Sequence, residues 1–156
     1  MVSLPKPVVA VNRRPTAIER SVPSAIWRPR SSDDRLAGVA VEDRIRKVFH
    51  LGAADRLPVV RQKSLRIYHS HLTRFLAFPF RASHCEETEP LVLDDSVIAT
   101  GLCDPIRVPL DSARGILCEV VFGEITRLPL ALLRAEPNDP NYQLIEDYWH
   151  WFWNCR

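Results

Sequence analysis

The sequence predicts an α+β domain: a small antiparallel β-barrel or bent sheet, SH3-like, flanked by an N-terminal helical segment and a C-terminal aromatic helix. Three observations carry this. Apolar residues recur at helical spacing in two stretches before Leu76, the pattern shortens to strand-like runs from Phe78 onward, and Asn141 to Cys155 holds three of the four tryptophans. At 156 residues and 46% apolar content, the chain has the length and composition for one domain with a real core and a tail.

Residues 1–34 form the expected tail. They contain Pro5, Pro7, Pro15, Pro23 and Pro29, interleaved with Arg13, Arg14, Arg20, Arg28 and Arg30, and follow neither a helical nor a strand period. Such a segment cannot bury much, so it reads as disordered, with Trp27 an incidental aromatic or a docking residue. The folded domain is expected over 41–156. Val41, Ile45, Val48 and Phe49 sit at helical spacing before Gly52, which predicts a short helix ending there. Beyond Leu57-Pro58, a second helix is predicted with Leu65, Tyr68, Leu72, Phe75 and Leu76 on one face. His69 and His71 are two residues apart, which sends them to different faces and favours solvated or capping roles over a shared metal.

Strands are predicted over Phe78–Glu87, Ser96–Leu102, Ile116–Phe122 and Ile125–Leu130, with a tight turn at Gly123-Glu124. Pro79 confines the first of them to an edge or makes it an opening residue, because proline cannot donate to a ladder. Asp104 to Gly115, with Pro105 and Pro109, reads as a long loop. In the last helix Ile145, Tyr148, Trp149 and Phe152 mark the expected buried stripe, Asn138 or Asp139 the cap, and Trp151 and Trp153 point off the stripe. Each buried aromatic side chain removes about 150–250 Å² from water, worth roughly 4–6 kcal/mol before ordering costs.

The net charge of +2 conceals an asymmetry. Residues 1–74 hold 15 Lys or Arg against 6 Asp or Glu, whereas 75–156 hold 6 against 13. The acidic part would attract cations and the basic part acidic polymers. No long apolar run or signal-peptide pattern is present, so a soluble, cytoplasmic protein with no membrane association is expected. Cys85, Cys103, Cys118 and Cys155 form no CxxC pair and read as buried thiols rather than a zinc site. No nucleophile elbow, P-loop, zinc-protease or dinucleotide motif occurs, which disfavours an enzyme. The carboxylates Glu86, Glu87, Glu89, Asp94, Asp95, Asp104, Glu119, Glu146 and Asp147 cluster around and after the strands. Calcium takes six to eight oxygens at about 2.3–2.6 Å, which such acids with carbonyls and water can supply, although no EF-hand loop is present. Read without further context, the same acids also suit a solvated sheet edge that discourages aggregation.

From Leu57 to Arg156 the order LPVV, SLRIYHSHLTRFLAFPF, RASHCEE, ATGLCDP, ILCEVVFGEITRLPLALL and NYQLIEDYWHWFWN resembles the small bacterial CcbP-like calcium-binding proteins. The most telling pieces are Phe78-Pro79-Phe80, Leu128-Pro129-Leu130 and Asp147-Tyr148 followed by Trp151-Phe152-Trp153, all framework motifs. The resemblance implies a compact calcium-binding core over 57–156, a non-catalytic buffer or sensor, with Ca²⁺ bound by surface carboxylates. Glu86, Glu87, Asp104, Glu119 and Asp147 are the candidate ligands. Arg81 and His84 depart from an acidic pattern. The alternative is an interaction module that binds a protein partner or nucleic acid through exposed aromatics and the basic N-terminal part.

Overall fold

The computed structural model describes residues 32–84 and 96–156. Helix α1 spans Ser32–Val48 and α2 spans Gln62–Phe75; then come β1 (Phe80–His84), β2 (Ser96–Leu102), β3 (Leu117–Phe122), β4 (Glu124–Pro129), a 3₁₀ turn (Leu130–Leu132), β5 (Leu133–Ala135) and α3 (Tyr142–Asn154). The first helix begins well before the expected Val41. It ends in a Schellman motif: His50 has φ 55°, His50 N–H donates to the Lys47 carbonyl at 3.2 Å, and Leu51 N–H to that of Arg46 at 2.9 Å. His50 thus takes the left-handed position, and Gly52 lies two residues beyond it.

The α2 helix starts where Ser64 Oγ accepts the Arg61 N–H at 2.9 Å and donates to the Val59 carbonyl at 2.8 Å. Leu65, Tyr68 and Leu72 are buried as predicted, but Phe75 is 53% exposed. The Phe78–Pro79 peptide is cis, and β1 begins only after it, at Phe80. Proline is thereby kept out of a strand that pairs on both sides.

All strands pair antiparallel in the order β4-β3-β2-β1-β5. The fifth strand, Leu133–Ala135, is one the sequence reading does not separate from the apolar run before it. It pairs with β1 at the edge opposite β4. Only the 3₁₀ turn Leu130–Leu132 joins those two edges. Four residue steps reach at most about 14 Å, whereas edge strands of a flat five-stranded sheet stand about 19 Å apart. The sheet is therefore strongly curled. Among the described residues β4 and β5 share no ladder, so of the two expected forms, barrel or bent sheet, the protein takes the open, bent sheet.

The inner face of that sheet supplies Phe80, Ala82, Val97, Ala99, Cys118 and Val120 to one apolar core shared with the helices. Helix α3 packs on α1, on α2, and on the 3₁₀ turn and β5. Because it has neighbours on several sides, its buried arc is wide: Ile145, Tyr148, Trp151 and Phe152 are each at most 1% exposed. Trp151 is thus a core residue, contrary to the predicted stripe, and Trp149 is only half-buried. The Trp151 ring stacks on Tyr68 with centroids 4.8 Å apart, and its Nε1–H donates to the Pro58 carbonyl at 2.9 Å. The long loop after β2 lies against the same helix. Gly115 has φ 71°, and a side chain there would collide with the Tyr148 hydroxyl and the Phe152 ring. No described helix is long and apolar enough to cross a membrane.

Candidate functional site

Asp147 lies on the first half of α3, on the side facing α1. It is buried, and Arg44 grips it with two hydrogen bonds: Nε to Oδ2 at 2.8 Å and an NH2 donor to Oδ1 at 2.8 Å. Gln143 Nε2 adds a third at 2.9 Å to Oδ1. These bonds raise the Arg44 pKa above its already high ordinary value. A carboxylate so occupied ties α3 to α1.

Asp104 and Glu119 are placed differently. Asp104 is exposed just past the end of β2, where its Oδ1 accepts the Ile106 N–H at 2.9 Å and its carbonyl accepts the N–H groups of Arg107 and Val108. Such local bonding is what an aspartate at the start of a turn supplies. Glu119 is on β3, opposite Gly101 of β2, with Arg127 Nε 3.9 Å from its Oε1 across the strand pair. Both side chains of that pair are about half-exposed, so it contributes little stability. Glu86 and Glu87 lie outside the described residues, in the connection from β1 to the Ser96 end of β2. A seven-residue strand is about 23 Å long, so Asp104 is set off by the length of β2 from the point where that connection joins it. Among the described residues, no three His, Cys, Asp or Glu side chains converge as a metal site.

The chain is similar to Anabaena CcbP. The match is to its crystal structure, at 18% sequence identity and a TM-score of 0.47, covering 75% of this chain and 90% of that one. No family model matches the chain, and no curated protein matches it.

Other polar groups near Asp104 are tied down. His69 Nε2 lies 3.1 Å from the Cys103 carbonyl, so that nitrogen carries the proton. Burial lowers the His69 pKa, which keeps the ring neutral near pH 7. Neither a solvated nor a capping histidine, it pins α2 to the end of β2. Cys118 donates to the Gly101 carbonyl at 3.2 Å, and burial pushes its thiol up to about 12. Cys103 is also buried with a raised pKa, chiefly from desolvation. These thiols are not poised as nucleophiles. A cavity of about 570 Å³ opens between Leu128, Ala131 and the end of α3, where Arg156 stacks on Phe152 and Trp153 at 4.7 and 4.8 Å.

The sequence reading did not single out Arg44 or the lysines and arginines around α2. For the latter a signal was present: α2 carries Lys63, Arg66 and Arg74 and no carboxylate.

Proposed function

We propose that this domain is a non-catalytic Ca²⁺-binding protein. One observation carries the reading: between Arg81 and Arg107 the chain has six carboxylates, Glu86, Glu87, Glu89, Asp94, Asp95 and Asp104, and no lysine or arginine. A run of that kind concentrates oxygen donors and negative potential around β2, and Glu119 adds a further carboxylate from the neighbouring strand. The sequence resemblance to CcbP-like calcium-binding proteins supports the same ligand. Glu86, Glu87, Asp104 and Glu119 are the proposed donors, with Asp147 reserved for Arg44.

Because Glu86 and Glu87 precede β2 in the chain and Asp104 follows it, paired substitutions decide which group holds the ion. Calorimetry of chelator-stripped protein should show heat on Ca²⁺ addition and less on Mg²⁺, which demands tight octahedral geometry. Calcium at a hundredfold excess over Kd should stabilise the fold by about 2.7 kcal/mol. Either Glu86→Gln with Glu87→Gln or Asp104→Asn with Glu119→Gln should remove most of the effect. No heat at millimolar Ca²⁺ would sink the reading.

A further inference from the structure

The surface where α1 ends against α2 carries two adjoining hollows of about 420 and 600 Å³, which share Phe49 and Ile67 and so form one groove. Its floor is apolar: Val48, Phe49, Ile67 and Phe75 all line it, and Ile67 and Phe75 are 40% and 53% exposed. Val59, 50% exposed, extends the apolar strip at one end. Its rim is cationic. Lys47, Arg61, Lys63 and Arg74 line it, and no Asp or Glu does. None of the four has a carboxylate within ion-pair distance among the described residues.

We propose that this groove docks an acidic amphipathic helix of a protein partner. Ile67, His71 and Phe75 stand at i, i+4 and i+8 along α2, one row of a helix surface, which is the shape an apolar helix face fills. Four cations with no carboxylate partner among the described residues, around an apolar floor, select a ligand whose apolar stripe is flanked by carboxylates. The chain's own N-terminal segment is a poor match, since residues 1–31 carry six Lys or Arg and one glutamate. Nucleic acid would use the cations and could stack a base on Phe75, but would leave the aliphatic strip of Val48, Val59 and Ile67 uncovered, and an anionic membrane would need a convex apolar surface rather than a groove. The proposal uses none of the calcium candidates and stands or falls separately from them.

The test is selection of random linear peptides on the immobilised full-length protein, followed by amide chemical-shift mapping with a selected peptide. Enriched peptides should combine Asp or Glu with aliphatic or aromatic residues at helical spacing. They should shift residues 47–50 and 58–75 and weaken as salt rises. The double variant Lys63→Glu, Arg74→Glu should lose binding by roughly tenfold or more, about 1.4 kcal/mol, at unchanged melting temperature. Phe75→Ser should weaken binding with no change in the salt dependence. Enrichment of basic or neutral peptides, shifts that map elsewhere, or variants that bind as well as the parent would overturn the proposal. So would tighter binding of a single-stranded oligonucleotide or of phosphatidylserine vesicles to the same residues.

Discussion

Asn141 and Ala77 hold each other through two hydrogen bonds of 2.8 Å, the Ala77 N–H donating to Oδ1 and Nδ2 donating to the Ala77 carbonyl. The side chain sits at the start of α3 but does not cap it; it reaches back to the segment between α2 and β1. Asn141 is 2% exposed, so these bonds tie two distant parts of the chain inside the protein. Asn141→Ala should cost about 2 kcal/mol, two net hydrogen bonds, read as a lowered urea midpoint. Asn141→Asp should cost at least as much, because a carboxylate cannot donate to the Ala77 carbonyl. An unchanged midpoint in both variants would refute the link.

The Arg44 and Asp147 pair makes a second prediction. Removing one partner strands a charge at a helix interface, so Asp147→Ala and Arg44→Ala should each destabilise the domain by about 1–3 kcal/mol, below the fully buried range because Arg44 is 37% exposed. Double-mutant analysis should give a coupling of about 1 kcal/mol or more. Asp147→Asn should leave calorimetric Ca²⁺ binding unaltered. Loss of the calcium heat in that variant alone would return Asp147 to the ligand set.

Trp151→Ala should cost about 3–5 kcal/mol, since it empties a fully buried aromatic site and frees the Pro58 carbonyl. Trp149→Ala should cost distinctly less. Trp149 is half-buried and its ring faces Arg134, whose guanidinium carbon lies 5.6 Å from the ring centroid. Equal losses in thermal unfolding of the two variants would mean that the helix is rotated from this phase.

That rotation marks how far the sequence could be read. The spacing of Ile145, Tyr148 and Phe152 located α3 and most of its buried face, because hydrophobic periodicity reports a helix's own geometry. Whether Trp149 or Trp151 completes the face depends on which neighbours flank it, and α1 and α2 cover the Trp151 side. Strand positions were legible for β2, β3 and β4, where four or more residues set a period. In β5, three residues set none, and its pairing partner lies about 50 residues earlier in the chain. The same limit applies to the candidate site. The carboxylates could be seen in the sequence, but the pairing of Asp147 with an arginine 103 residues away could not.

His50 offers a stabilising change. It holds φ 55° at the end of α1, a region costing a side-chain-bearing residue roughly 1 kcal/mol that glycine avoids. His50→Gly should raise stability by about 0.5–1 kcal/mol, because the side chain is exposed and the turn is held by backbone hydrogen bonds that glycine keeps. Thermal unfolding would measure it, and a lowered melting temperature would contradict the left-handed assignment.

Acid should weaken the fold through His69 and His71. Burial is the main cause lowering the pKa of each; at His69 the hydrogen bond to the Cys103 carbonyl and then Asp104 oppose it, while at His71 Arg74 adds to it and Asp147 opposes it. Their folded pKa values lie below the ordinary 6.5, so between the two values the unfolded chain binds more protons than the folded one. The associated stability is complete above about pH 6.5 and is lost as pH falls through the folded values. Urea midpoints should therefore drop between about pH 7.5 and 5.5, above the range in which ordinary carboxylates titrate. His69→Gln, whose amide can still donate to the Cys103 carbonyl, should shrink that drop while preserving much of the stability at pH 7.5. A midpoint that rises on acidification, or a drop unchanged in His69→Gln together with His71→Gln, would show that these rings are not the source.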